Sequence, residues 1–394
     1  MADLQDESHA PGEVGTLDPP AAPAPVEVDP ALDAECAAEL EAAAPPAPVE
    51  PPTPLGPGAT PMERVRSLLA THPVADGHSG LPWALSQLAW YDLELGESAL
   101  RTDIPRLRAG SVGAMFWSLR VPDDYTGDRA VSATLGLIDL TEGVVRSHPD
   151  ALRMARSASE SADSRAHGRI ACLLGPANAT ALGDSLGALR ALHTLGVRSI
   201  ALLGTRWASG TGLSRFGEEV VREMNRLGVL ADLSHSSEAT IRRTLAVSKA
   251  PVLFSRSGAR ALTDHPDNLT DDLLAALPAN RGLCMVPLST AQAGPTLRHA
   301  ADHLDHVREI AGVEHVGLSG TYDTEETTHA PELEDPARYP HLLAELLERG
   351  WTEAEVALLT WGNVQRVLRD ADFTARAAQL RRPPSSATID RLDV

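Results

Sequence analysis

Short apolar runs recur along the chain, and most are followed by a stretch whose apolar positions fall three and four residues apart. Val112–Leu119 reads as a buried strand, with an amphipathic helix over Ala130–Arg146 behind it. Further strands are predicted at Ile170–Leu174, Ser199–Leu203, Val229–Leu233, Pro251–Ser255, Gly282–Pro287 and Val316–Ser319. Helices are predicted over Asp184–Leu195, Gly217–Leu227, Glu238–Val247, Thr270–Leu277 and Thr296–Ile310, with Tyr339–Arg349 and Glu353–Arg369 closing the series. With Val74–Asp76 as the first strand, eight strands begin near residues 74, 112, 170, 199, 229, 251, 282 and 316. Uniformly apolar strands alternating with helices predict an α/β fold with a parallel sheet, and eight repeats predict a TIM-like (β/α)8 barrel. An open doubly wound sheet fits the local pattern nearly as well. However, no GxGxxG loop opens a helix after the first strand.

Composition divides the 394 residues unevenly. Residues 1–60 hold no Lys, Arg or aromatic residue, and their twelve acids supply more than half of the net charge of −20. This Pro- and Ala-rich stretch offers too little apolar surface to offset the entropy of ordering it, so a disordered acidic tail is expected over 1–60. The barrel is expected over 61–375 and a C-terminal tail over 376–394. Cys36, Cys172 and Cys284 form no CxxC pair, which excludes a thiolate zinc motif, and Cys172 and Cys284 read as small buried hydrophobes. The acidic balance argues against nucleic acid, and Lys249 is the sole lysine among many arginines. There is no signal-like start and no run of 18 apolar residues, so no membrane association and a cytoplasmic location are expected.

Five stretches in unbroken order carry a family resemblance. They are Asp76-Gly77-His78-Ser79-Gly80-Leu81-Pro82-Trp83, then Asp103–Trp117, then Leu186–Leu203. The fourth is Phe216–Asp267, which contains Asp232-Leu233-Ser234-His235. The last is Gly312–Gly317 with Arg338-Tyr339-Pro340 and Gly362-Asn363-Val364-Gln365-Arg366-Val367. Together they resemble the renal, or membrane, dipeptidase family over roughly residues 61–372. The resemblance implies a TIM-like barrel with two zinc ions at the carboxyl ends of its strands. A water or hydroxide bridging them attacks the peptide carbonyl of a dipeptide.

Carried over position by position, the resemblance implies a depleted site. His78 stands at the family's first histidine ligand, but Gly80 stands where an aspartate ligand is implied. Ala177 stands at the bridging glutamate, His235 at the next histidine ligand and Arg256 at the histidine after it. Gly204 replaces the histidine that contacts the substrate, and Asp267 replaces the arginine that clamps its carboxylate. Thr321 stands at the catalytic aspartate, with Asp323 at the second aspartate of the same motif. A guanidinium has no lone pair for zinc, and two imidazoles without a bridging carboxylate do not make a dinuclear site.

The expectation is therefore a catalytically inactive family member, or pseudoenzyme, with no metal and no cofactor. It would serve as a binding or partner subunit, in a homodimer or a heterodimer with an intact family member. The alternative is a metallo-dipeptidase or hydrolase of residual or altered activity that uses zinc at His78 and His235. Arg256 is expected to pair with Asp323 or Asp76, because a buried cation without a partner is costly. His299, His303 and His306 imitate a metal motif but fall mid-helix, where surface or packing roles are expected. Glu325 and Glu326 read as a solvated loop, with a minor alternative as ligands.

Overall fold

A computed structural model describes residues 58–96, 99–325 and 327–393. The acidic tail expected over 1–60 lies outside the described residues except for its last three, and Cys36 and Glu326 also lie outside them. Thr60 stands at the start of the first described helix. Its side chain N-caps a helix over Pro61–Thr71, and the Glu63 side chain reaches back to its backbone in a capping box.

Eight strands form the barrel: β1 (Val74–Ser79), β2 (Val112–Leu119), β3 (Ile170–Asn178), β4 (Ser199–Ala201), β5 (Leu230–Asp232), β6 (Leu253–Phe254), β7 (Leu283–Pro287) and β8 (Val316–Ser319). Each begins within about two residues of its sequence-based expectation. All neighbours pair in parallel, from β2 through β1 and β8 round to β3, and β3 pairs back onto β2. That last pairing closes the sheet and excludes the open doubly wound alternative.

Alternate residues on the strands go to two apolar clusters, as the two-residue pleat requires. Ala75, Ala114, Phe116, Leu173, Leu253 and Met285 fill the barrel interior. Val74, Met115, Trp117, Leu174, Phe254 and Val286 pack outward with the surrounding helices. Gly77 and Gly317 make room for Met285: a Cβ on Gly77 would lie 2.6 Å from the Met285 sulfur. Each fully buried Leu or Met side chain contributes ~1.5–3 kcal/mol of transfer free energy.

The helix over Asn363–Gln379 floors the barrel. Trp361, Val364, Val367 and Ala371 join the interior cluster. Asn363 donates to the carbonyls of Val313 and Val316, Arg366 to that of Arg281, and Asp372 pairs with Arg198 at 3.2 Å. Those partners lie at the amino-terminal ends of β8, β7 and β4, so this end is sealed and the carboxyl ends are left open. The residues expected as a C-terminal tail pack on the same body: Ile389 is buried, and the Asp393 carboxylate accepts from the Phe216 amide at 2.9 Å.

Several elements were not expected, among them the helix over Pro61–Thr71 and two elements between β2 and β3. A short strand at Leu152–Met154 pairs with β3, and a helix covers Ala158–Ala166. The helix (ASESADSRA) has no apolar stripe; Ser157 caps it, and Ser161 and Ser164 are buried on its inner face. Among the described residues no helix is long and apolar enough to cross a membrane.

Candidate functional site

The loops after β1, β2, β5, β6, β7 and β8 converge on a cavity of about 500 Å³ at the open end of the barrel. Its lining includes His78, Gly80, Trp83, Arg120, His235, Arg256, Asp267 and Asp323. A slightly larger cleft, about 560 Å³, lies among residues 104–108 and 147–151. The cavity at the strand ends is the better candidate, because barrels of this type present convergent side chains there. Backbone conformation supports the choice: of the non-glycine residues with positive φ, His235 (63°), Thr321 (55°) and Asp323 (58°) all lie on these loops. Such conformations cost energy and concentrate at ligand sites.

Each side chain is held by its strand end. The Asp76 carboxylate accepts from the Tyr339 hydroxyl at 2.6 Å and from the amides of Gly320 and His78 at 2.7 and 3.1 Å. That bracket fixes the β1–β8 junction and turns His78 into the cavity. Burial pushes the Asp76 carboxyl up to about 6, against those three donors. The Asp232 carboxylate similarly accepts from the hydroxyl and amide of Ser255 and from the amide of Ser234. Ser234 in turn accepts from the Arg256 amide at 3.0 Å, which ties β5 to β6.

His235 Nδ1 lies 2.7 Å from Asp267 Oδ2, and His265 Nδ1 lies 3.7 Å from the same oxygen. Burial lowers the His235 pKa despite the Asp267 hydrogen bond; nearby Arg256 works in the same direction. Burial works to raise the Asp267 pKa, but the hydrogen bond from His235 leads the effects that outweigh it and hold the carboxyl low. The pair is therefore a neutral imidazole donating from Nδ1 to an ionised carboxylate. Burial, then Arg256 and Arg120, hold the His78 pKa well below its usual value. Two buried ring nitrogens, His78 Nδ1 and His235 Nε2, have no hydrogen-bond partner among the described residues.

Arg256 does not make the expected ion pair. Asp323 accepts instead from the amides of Arg101 and Thr102 at 2.6 and 2.9 Å, and Asp76 is committed to Tyr339. The reason is that both carboxylates are already taken up by backbone amides and, for Asp76, the Tyr339 hydroxyl. Among the described residues no hydrogen bond or ion pair ends on the Arg256 guanidinium, whose residue is bonded only through its backbone. Burial and then the charge of Arg120 lower its pKa to about 10.

His78, Gly80, His235, Arg256, Asp267 and Asp323 thus share one cavity, whereas Ala177, Gly204 and Thr321 are not on its lining. Ala177 is buried in the apolar cluster and pairs with Ile200. Gly204 is exposed in the turn after β4. Thr321 is buried, with its hydroxyl donating to the Gly320 carbonyl at 2.7 Å. At Gly80 a Cβ would lie 2.2 Å from the Asp323 carbonyl oxygen, so no larger side chain fits without moving that backbone.

Sequence reasoning missed Arg120, Trp83 and His265. Arg120 pairs with Asp123 at 3.2 Å, and the Trp83 indole donates to Glu325 at 2.7 Å. Their nearest signal was position just after a predicted strand or within a quoted motif. The helical histidines are elsewhere: His303 is buried under the β6 loop, His306 pairs with Asp271 at 2.7 Å, and His299 bonds Thr296. Among the described residues no three His, Cys, Asp or Glu side chains gather so as to hold a metal ion.

Comparison with known proteins gives the lineage. The family described as membrane dipeptidase (peptidase family M19) matches residues 62–382. Dipeptidase 3 of Homo sapiens is 38% identical over 346 residues, which cover 81% of this chain and 69% of that protein. Dipeptidase verJ of Clonostachys rogersoniana is 36% identical over 337 residues, covering 78% of this chain and 86% of its own. Among solved structures, the dipeptidase AC, a metallopeptidase of family M19, superposes with a TM-score of 0.69 at 25% identity, covering 76% of this chain and 99% of that one. The chain belongs to the membrane dipeptidase family, peptidase family M19.

Proposed function

We propose that this chain is a non-hydrolysing member of the family, in which the barrel mouth binds a ligand without a pair of zinc ions. The observation that supports this best is Arg256, a guanidinium lining the cavity that makes no direct ion pair among the described residues, although the charges of Asp232, Asp267 and Asp123 act on it. A fixed positive charge at that point repels a dication and cannot ligate one. The residues present do not fit a dinuclear zinc site. His78 and His235 bring two ring nitrogens, Gly80 and Ala177 bring no donor, and the space beside Gly80 is filled by the Asp323 backbone. No hydrolytic step is derived for such a site. In this reading the chain works as a binding or partner subunit, as a homodimer or with an intact member of the family.

The test is metal analysis of the purified protein together with an assay on simple dipeptides in added zinc. The expected outcome is fewer than two zinc equivalents and no turnover above a blank. Robust turnover that is lost in His78→Ala or His235→Ala overturns the reading in favour of a metallohydrolase.

A further inference from the structure

The geometry points to a specific ligand chemistry at the cavity floor: a small carboxylate whose charge sits on Arg256 and whose neighbouring hydroxyl fills the unpartnered ring nitrogens of His78 and His235. This inference rests on the reading that no zinc pair occupies the floor.

Four observations support it. The Arg256 guanidinium makes no hydrogen bond or ion pair among the described residues, and the charges of Asp232, Asp267 and Asp123 reach it only without direct contact, while the residue is only partly exposed. A cation so placed is under-satisfied unless something anionic joins it, and a guanidinium fork matches the two oxygens of a carboxylate. Two arginines that line the cavity, Arg256 and Arg120, bring positive charge to the floor beside His78. Asp123, Asp267, Asp323 and Glu325 also line the cavity, but each already has a partner, in Arg120, His235, the Arg101 and Thr102 amides and Trp83 respectively, which leaves Arg256 as the charge without one. Finally, His78 Nδ1 and His235 Nε2 are buried and lack partners. Orphaned polar atoms of this kind cost ~1–3 kcal/mol each, which a ligand that bonds to them recovers. A hydroxyl both donates and accepts, so it suits either ring in any protonation state.

The acids around the rim decide between oxyanions. A phosphate dianion on the floor would be repelled by Asp267, whereas a carboxylate carries one charge and matches one guanidinium. The cavity of about 500 Å³ admits a small organic acid and leaves room beside Trp83 for its remaining carbons.

The experiment uses the full chain, with metal content measured first. Sodium acetate, sodium glycolate and inorganic phosphate are titrated at constant ionic strength, with binding read by calorimetry and melting temperature by fluorimetry. Saturable binding is expected for both carboxylates, with glycolate several-fold tighter than acetate and phosphate weaker than either. Arg256→Met should weaken glycolate at least about tenfold, ~1.4 kcal/mol, while melting no lower than the parent without ligand. Arg120→Met should weaken it less. A metal-poor protein that binds none of the three overturns the inference, and so does an Arg256→Met variant that binds glycolate unchanged. Tighter phosphate than glycolate overturns the carboxylate assignment, and equal acetate and glycolate overturns the role of the ring nitrogens. Two tightly held zinc equivalents would instead defeat the proposed function itself.

Discussion

A single atom of backbone decides what residue 80 can be. A Cβ there would lie 2.2 Å from the Asp323 carbonyl oxygen and 2.7 Å from its carbonyl carbon. The Asp323 backbone is fixed in turn, because its carboxylate caps two amides and its φ is 58°. Gly80→Ala should therefore lower stability by ~1–3 kcal/mol, the usual cost of overpacking a region that cannot relax. Gly80→Asp should lower it at least as much, with no gain in zinc binding. Denaturant titration and metal analysis of both variants check this, and a stable, zinc-binding Gly80→Asp would contradict it. Residue identity at the site was legible in the chain, since His78, His235 and Arg256 follow recognisable strands. Residue partnership was not. Whether any carboxylate meets Arg256 depends on loop paths across β1, β5, β6 and β8, and a one-dimensional pattern carries no such distances.

Helix 297–311 holds the loop that carries the site. Its buried His303 accepts from the Ala259 amide at 2.9 Å through Nδ1, and its Nε2 lies 3.1 Å from the Thr263 hydroxyl. The loop it clamps runs from Arg256 to Asp267. Burial first, then His306, lowers the His303 pKa from 6.5 to about 4. The unfolded chain therefore binds a proton here that the folded chain refuses. The sign follows: this contribution to stability is whole above about pH 6.5 and drains away as pH falls toward 4. Asp76, with its carboxyl raised to about 6, acts oppositely between pH 6 and 4. The His303 share is thus read as a difference. His303→Gln should cost ~1–3 kcal/mol at pH 7.5, and that deficit should shrink by pH 4.5. An equal deficit at both values would show that His303 does not titrate this way. The elements themselves were largely readable because buried parallel strands are uniformly apolar. The helix at Ala158–Ala166 escaped notice because its buried face is built from serines and alanines, which give periodicity no contrast. The β6 signal covered five residues, but only Leu253–Phe254 keep ladder pairing, since Ser255 turns away to bond Asp232.

At the scale of the whole molecule, Thr60 caps the first helix of the described residues. Starting the chain at Gly58 should leave the melting temperature within a few degrees of the full chain. Starting it at Pro61 removes the capping box and should cost ~1 kcal/mol. A large loss from the first truncation would mean that residues 1–57 support the barrel. The helix over Asn363–Gln379 has a different bearing on the whole. Because it stoppers one end of the barrel, the chamber is a cul-de-sac: whatever enters past Trp83 and Asp323 must leave by the same door. Residence time is then set by the rim alone, and any protein that sits over the rim traps the occupant inside. In the binding role proposed above, the length of the occupant's stay, and not a chemical step, is what a partner would sense.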